Sequence, residues 1–279
     1  MRPCSRLFVF LTLCSCLPAQ EAHNQLTSEE KASGWKLLFD GKTFTHWIDP
    51  LKRNPQGKSW AIENGSIKAL AKPYIQEDLI TAGTYQNFEL VFDWKVSPGG
   101  NSGVKYRLHD MIFVDESKIP ADLSWEQKVA FELDKKVSQR SHAGPGRRSE
   151  YTVAFEYQVI DNDRHKDAQR GPLYQAGALY SMIPASQPAT KPVGEWNHAR
   201  IVLRGDNFEH WLNGVRVAEG SLKGKEVTEA VEKRWKPAPE VRDMLLRSTR
   251  PRWPIALQNH GDEAWFRNIK LRQFTGRPD

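Results

Sequence analysis

Hydrophobic and polar residues alternate along most of this chain, as they do in half-buried β-strands. The clearest run lies at 87–96, where only Val91 interrupts the alternation. Similar runs lie at 151–160 and 207–218, and two Asn-Gly pairs are typical of tight hairpins. Many antiparallel strands separated by turns predict an all-β fold, a sandwich of two antiparallel sheets.

Two segments follow a helical period instead. Residues 122–139 carry an apolar residue every four positions, and Ser124 and Gln127 have the spacing of a capping box. Residues 224–247 show a second helical pattern that two prolines interrupt. We expect both segments to be peripheral helical insertions that cover the rim of the sandwich.

The first twenty residues have the pattern of an export signal. Basic residues precede an apolar stretch that is too short to span a bilayer. Residues 1–20 are therefore predicted to be a signal peptide, which places the mature protein in the periplasm or outside the cell. In the alternative reading, 13–16 is a lipid-attachment motif, and lipidation at Cys16 would anchor the protein to a membrane. The globular domain is then expected at 34–275.

Composition excludes several other kinds of chemistry. All three cysteines lie inside the leader, so the rest of the chain offers no disulfide and no catalytic thiol. The formal charge of +6 is spread along the chain without a basic block. Because no nucleic-acid-binding motif accompanies it, we expect no nucleic-acid partner.

The most informative segment is a strand that leads into a polar loop at 155–165. Glu156 and Gln158 share the face opposite its apolar residues, and Asp161 and His165 follow in the loop. Carboxylate, amide and imidazole groups in this arrangement suit binding a polar ligand, holding a cation or moving a proton. The plainer alternative is a solvated strand face followed by a turn.

Motifs in order along the chain resemble the 3-keto-disaccharide hydrolase domain family. They lie at 34–42, 60–65, 88–90, 97–104, 156–162, 177–180, 191–197, 210–214, 254–261 and 265–269. The resemblance covers about residues 34–274, and it implies a concanavalin A-like jelly-roll fold. It also implies a carbohydrate substrate, namely a glycoside that has been oxidised to a ketone at sugar C3. Segments 108–150 and 221–252 are longer than the family pattern.

The implied chemistry is a β-elimination. A ketone at C3 acidifies the proton on C2, so a base can remove it, and the resulting enolate expels the anomeric oxygen. Water can then add to the enone, so the end point is either elimination or net hydrolysis. Such a reaction needs a base, a proton source for the leaving group and a stabiliser for the enolate oxygen, for which a divalent metal cation is one candidate.

The candidates for these roles are polar residues that share one face of a predicted strand, because side chains two positions apart point the same way. His260 or Glu156 is predicted to be the base, with a slight preference for His260 because imidazole is partly unprotonated at neutral pH. Asp161 is the candidate metal ligand. The predicted substrate-binding residues are Gln158, Arg107, Gln258, Arg267, Asn101, Lys105 and His165.

Two non-enzymatic readings remain open from the sequence. A carbohydrate-binding module could use the same sandwich without any catalytic pair. An interaction domain of the cell envelope would instead expose apolar surface on the helical segments.

Overall fold

The structure is a computed structural model that describes residues 23–48, 59–73, 75–134, 148–247 and 252–274. The predicted signal peptide, with Cys16, lies outside the described residues. No helix in the described part of the chain is long and apolar enough to cross a membrane.

The fold is a sandwich of two antiparallel sheets, which confirms the predicted fold class. The strands are β1 (Lys36–Leu37), β2 (Trp47–Ile48), β3 (Trp60–Glu63), β4 (Ser66–Ala69), β5 (Leu79–Thr81), β6 (Phe88–Val96), β7 (Asn101–Tyr106), β8 (Met111–Asp115), β9 (Arg148–Thr152), β10 (Phe155–Ile160), β11 (Asn197–Arg204), β12 (Asn207–Leu212), β13 (Val215–Ser221), β14 (Ala256–Leu257) and β15 (Ala264–Gln273). An eight-stranded sheet has the order β13-β12-β11-β6-β15-β4-β3, with β1 also paired to β15. The second, five-stranded sheet has the order β10-β7-β14-β5-β2, and β8 and β9 pair separately.

The core lies between the two sheets and follows the predicted alternation. On β6 the apolar residues from Phe88 to Val96 point inward and are buried, whereas Val91 is half-buried. Phe92 of the large sheet meets Tyr157 of the small sheet edge to face, with ring centroids 5.7 Å apart. Aromatic packing of this kind stabilises the interior beyond simple burial of area.

Both Asn-Gly pairs form the predicted hairpin turns. Asn64 and Gly65 have φ values of 48° and 71°, and Asn213 and Gly214 have 49° and 84°. Two successive positive φ values define the type I′ turn, whose twist matches that of the flanking strands.

The strand predicted at 151–160 is divided in the structure. β9 ends at Thr152 and pairs with β8, whereas β10 begins at Phe155 and pairs with β7. Between them, the backbone of Val153 bonds to His109 and Asp110 rather than to the sheet. The predicted continuous apolar face is therefore wrong at its start, and Tyr151 stands outside the five-stranded sheet.

The helices are α1 (Ser28–Ala32), α2 (Trp125–Asp134), α3 (Lys225–Arg234) and α4 (Pro239–Leu246). α2 begins with the predicted capping box, in which Ser124 and Gln127 bond each other's backbone N–H. Residues 135–139 of that predicted helix lie outside the described part of the chain. The pattern at 224–247 forms two helices, since Pro237 and Pro239 cannot continue α3. Val231 and Trp235 are buried in the common core, as the apolar period predicted.

Candidate functional site

The outer face of the five-stranded sheet brings together most of the predicted site residues. In the antiparallel register Glu156 lies opposite Lys105, and Gln158 lies opposite Gly103. On the other side of β7, the backbone N–H of Gln258 donates to the carbonyl of Gly103. Residues directly opposite each other share a face, so the carboxylate and both amides are on one surface.

Glu156 occupies the centre of this surface because Gly103 leaves room for it. A Cβ atom at Gly103 would clash with Oε1 of Glu156 and would lie 2.7 Å from its Cδ. The other carboxylate oxygen, Oε2, lies 3.4 Å from Nε2 of Gln258, which donates to it. The glycine thus lets a half-buried carboxylate lie flat over the sheet.

The environment of Glu156 raises its pKa to about 7. Removal of water from the carboxylate is the main cause, and Asp78 and Asp167 add repulsion. The positive charges of Lys105 and Arg234 oppose the shift. A carboxyl group with a pKa near 7 can act as a proton acceptor or donor at neutral pH.

Lys105 already has a partner on this surface. Its ammonium Nζ is 2.7 Å from Oδ2 of Asp78, and both side chains are only 3% exposed. A buried pair of this kind is destabilised strongly when one partner is removed. Lys105 therefore lies in the predicted place, but its ammonium group forms an ion pair with Asp78.

Three amide atoms beside Glu156 lack partners among the described residues. They are Nε2 of Gln158, Oε1 of Gln258 and Oδ1 of Asn101. Gln158 is 1% exposed, and its Oε1 accepts the backbone N–H of Val159, which fixes its Nε2 as the free donor. An unsatisfied buried polar group costs about 1–3 kcal/mol, so this group of one donor and two acceptors suits a polar ligand.

His260, His165 and Asp262 form a second cluster next to these amides. One potential metal-ligating atom from each residue lies within 4.8 Å of the others. The two imidazole rings meet edge to face, with their centroids 6.1 Å apart. Asp262 also accepts the backbone N–H of Asn101 at 3.2 Å, which ties the cluster to β7. Asp262 was not among the residues predicted from the sequence, although it stands two positions after His260.

The pKa of His260 is lowered, so its imidazole is neutral at pH 7. Partial removal of water from the ring is the main cause, although the residue as a whole remains exposed. Asp262 opposes the shift, whereas the neighbouring His165 adds to it.

The donor set of this cluster fits a divalent cation only in part. Two imidazoles and a carboxylate are ligands that Zn²⁺ and similar cations accept. However, Nδ1 of His165 accepts the backbone N–H of Asp167 at 3.1 Å, which leaves the proton of its neutral ring on Nε2. His165 would have to release that contact before it could bind a metal, because Nδ1 is occupied and ligation through Nε2 would move the ring proton to Nδ1.

Arg107 does not join the group, contrary to the strand-phase argument. Its φ of 53° ends the alternation of β7, and its side chain turns to the loop between β11 and β12. There it pairs with Asp206 at 2.6 Å and lies over the Trp253 ring.

Arg267 lies on the opposite side of the sandwich. It is on the outer face of the eight-stranded sheet, since the neighbouring Phe266 points into the core. Its Nε is 3.5 Å from Oδ2 of Asp93, and its guanidinium is 4.0 Å from the centre of the Trp196 ring.

Asp161 organises the loop after β10. Its two carboxylate oxygens accept the backbone N–H groups of Gly99, Asp163 and Arg164. Since these bonds occupy the carboxylate, they count against Asp161 as a metal ligand. That role stays a prediction.

Sequence reasoning missed a group of aromatic and charged residues around Glu156. The backbone N–H of Tyr180 donates to the carbonyl of Glu156, and its hydroxyl donates to Asp167 at 3.0 Å. Arg234 reaches this region from α3, and nothing in its helical position signalled that role. Tyr180 belongs to one of the family-like motifs, which was the only signal available for it.

Comparison with known proteins shows the family of this chain. The family model of 3-keto-α-glucoside-1,2-lyase-like domains matches residues 34–272. A Bacteroides thetaiotaomicron protein named 3-keto-disaccharide hydrolase is 33% identical over 266 residues, which cover 86% of this chain and 79% of that protein.

Solved structures show the same fold. One from Parabacteroides distasonis, described as a candidate glycosyl hydrolase, has a TM-score of 0.67 at 24% identity and covers 91% of this chain and 100% of its own. A second from that organism, described in the same way, has a TM-score of 0.55 at 26% identity, covering 86% and 99%.

Proposed function

Because this chain belongs to the family of 3-keto-α-glucoside-1,2-lyase-like domains, we propose that it cleaves the glycosidic bond of 3-keto-glycosides. The observation that carries the proposal is the desolvated carboxylate of Glu156, placed over Gly103 and beside three unpartnered amide atoms. The substrates are disaccharides or other glycosides already oxidised to a ketone at C3.

In the proposed reaction a base removes the proton on C2, and the electrons of that C–H bond form an enolate with the C3 ketone. The enolate re-forms the ketone as the bond between C1 and the glycosidic oxygen breaks. The leaving oxygen takes up a proton, and an enone with a C1–C2 double bond remains. Addition of water at C1 then gives net hydrolysis.

Glu156 is the base that the geometry favours. The sequence argument slightly preferred His260, whose neutral ring is also competent. However, Glu156 lies at the centre of the surface, and its raised pKa of about 7 makes its carboxylate a far stronger base than an ordinary glutamate. His260 lies at the exposed edge, where it can pass protons between the site and solvent.

The free amide atoms match the groups of a 3-keto sugar. Nε2 of Gln158 can donate to the oxygen that becomes negative in the enolate, as oxyanion-stabilising donors do in other enzymes. The acceptors Oε1 of Gln258 and Oδ1 of Asn101 suit sugar hydroxyls, which can donate to them.

A divalent cation remains part of the proposal as an additional stabiliser. His260 and Asp262 would hold it, with His165 joining only if its contact with Asp167 is released. Bound there, it would polarise the ketone or enolate oxygen as a Lewis acid.

The test compares one glycoside before and after oxidation at C3, each with and without a chelator. We expect cleavage of the 3-keto-glycoside alone. Binding of both sugars without cleavage of either would contradict the proposal and favour a carbohydrate-binding module. Full activity after exhaustive chelation would remove the cation from the mechanism without affecting Glu156.

We also propose export of the protein, on the basis of the leader pattern at 1–20. Mass spectrometry of the mature N-terminus tests it. A start near residue 20 is expected, a lipid on Cys16 would indicate a membrane anchor, and an intact Met1 would contradict export.

A further inference from the structure

Helices α2 and α3, which lie within the segments 108–150 and 221–252, meet near Glu156. The two are joined by an ion pair in which Nε of Arg234 is 2.9 Å from Oε1 of Glu126. Both side chains are largely buried, so this pair is shielded from solvent and fixes one helix against the other.

Arg234 continues from this pair to the edge of the site. Its NH1 donates to Oγ of Ser181 at 2.9 Å, and its guanidinium lies 4.9 Å from the centre of the Tyr180 ring. Since the backbone of Tyr180 bonds to the carbonyl of Glu156, Arg234 is tied to the same position on β10.

Arg234 and Tyr180 form one part of a wall of side chains beside Glu156, and Tyr151 completes this wall from the other side. The ammonium of Lys105, which is paired in register with Glu156, lies 5.4 Å from the centre of its ring. The Trp125 and Trp235 rings contact it at 5.4 Å and 5.7 Å. Tyr151 is half-buried, and its hydroxyl makes no hydrogen bond with any residue that the structure describes.

The wall and the free amides lie on different sides of Glu156. Along β10, Tyr180 is bonded at the level of Glu156, whereas Gln158, Gln258 and Asn101 follow in the direction of His260. The amide side offers the hydrogen bonds that sugar hydroxyls need. The wall offers aromatic surface with one free hydroxyl, which is the usual composition of a pocket for a ring-shaped ligand.

We propose that helices α2 and α3, together with Tyr151 of β9, form the subsite for the leaving group. In this subsite Tyr151 contacts a ring-shaped leaving group such as a second sugar, and the Glu126–Arg234 pair positions the wall. The inference rests on the proposed function, since a leaving group exists only if a glycosidic bond is cleaved next to Glu156. It assigns the preference of this chain among leaving groups to α2, α3 and Tyr151.

The test measures kcat/KM for two 3-keto-glucosides, one with a methyl leaving group and one with a second sugar. Loss of a single hydrogen bond should lower kcat/KM of Tyr151→Phe on the disaccharide by about 3- to 10-fold, mostly through KM. The methyl glycoside should change by less than about 2-fold. Tyr85→Phe, which removes a tyrosine hydroxyl next to Gly83, is the control and should change neither value.

A second variant tests the positioning role of the ion pair. Arg234→Met should raise KM for the disaccharide more than for the methyl glycoside, and a thermal melt shows whether it is folded. An equal loss on both substrates, in Tyr151→Phe and in a folded Arg234→Met, would overturn the proposed subsite.

Wild-type protein that cleaves neither substrate would contradict the proposed function itself. Calorimetric binding of the same two sugars then decides the subsite separately. Tyr151→Phe should weaken binding of the disaccharide alone, and equal affinities of wild type and variant for the disaccharide would overturn the inference.

Discussion

The two outer faces of this sandwich carry similar polar residues but use them differently. On the eight-stranded sheet the charges are paired with one another. Glu89 binds Arg200 at 3.2 Å and Arg272 at 2.6 Å, and Asp93 binds His198 at 2.9 Å. On the five-stranded sheet the central carboxylate has a shifted pKa, and the amides beside it have unpartnered atoms.

This difference teaches how to recognise a site on a β-sandwich. A polar face in itself says little, since solvated and ion-paired faces are common. The informative observation is a buried polar atom whose partner is missing, because that atom lost its bound water on folding and gained no hydrogen bond within the protein. By that criterion the three amide atoms clustered on the five-stranded sheet mark a ligand site, whereas on the outer face of the eight-stranded sheet Nε of Arg267 lacks a hydrogen bond but lies 3.5 Å from the carboxylate of Asp93.

The functional difference between the two faces is tested most strongly by neutralising one carboxylate on each face. Glu156→Gln should lower kcat/KM on a 3-keto-glycoside by about 10²–10⁴-fold, since it removes the base and keeps the shape. Glu63→Gln, on the strand β3 of the large sheet, is the matched control and should leave activity unchanged. Similar rates for wild type and Glu156→Gln would remove Glu156 from the chemistry.

The next effect concerns the free amide donor. Gln158→Leu removes the donor for the enolate oxygen, so kcat should fall by about 10²–10³-fold. Stability should change little, because the change removes an unsatisfied buried N–H group but also the oxygen that accepts the backbone N–H of Val159. The amide of Gln273 on β15 provides the control, Gln273→Leu. A purely structural role for Gln158 would show instead as a lower melting temperature with kcat preserved.

The raised pKa of Glu156 predicts a pH dependence of stability. Its pKa is about 7 in the folded state and 4.5 in the unfolded state, so the folded state binds more protons between these values. The free energy of unfolding should therefore fall as pH rises from about 5 to 8. Allowing for partial exposure to solvent, we expect a loss of about 1–2 kcal/mol.

Thermal melts at several pH values check this prediction. The fall should be smaller in Glu156→Gln, whereas Glu63→Gln should follow the wild type. Identical pH dependence in all three proteins would show that Glu156 titrates as an ordinary carboxylate.

The smallest effect is expected on the eight-stranded sheet. Arg267→Ala should change kcat/KM by less than about 2-fold, because the side chain contacts Asp93 and Trp196 on the far side of the sandwich. It should cost at most about 1 kcal/mol of stability, as partly exposed ion pairs do. A large rise in KM would restore Arg267 as a substrate-binding residue and weaken the contrast between the two faces.

Local patterns predicted much of the fold and part of the site. The alternation on β6 and the two Asn-Gly turns depend on neighbouring residues, and they formed as expected. Glu156, Gln158 and Gln258 were found by the same period of two, because their strands stay regular. The register that placed them beside each other could not be derived from the period alone.

The failures come from features that a local pattern does not contain. Arg107 left its predicted face because one residue adopts a positive φ. The run at 151–160 divided because Val153 found backbone partners in the loop before β8. The wall around Glu156 depends on contacts between segments that are far apart in the chain, such as Glu126 with Arg234.

The central claim is that Glu156 removes the proton from C2 of a 3-keto sugar. The most direct measurement uses a 3-keto-glycoside deuterated at C2, with wild type and Glu156→Gln in parallel. The account predicts a normal primary isotope effect and loss of the label from the released sugar, with little turnover by the variant. Retention of deuterium at C2, together with full activity of Glu156→Gln, would contradict it.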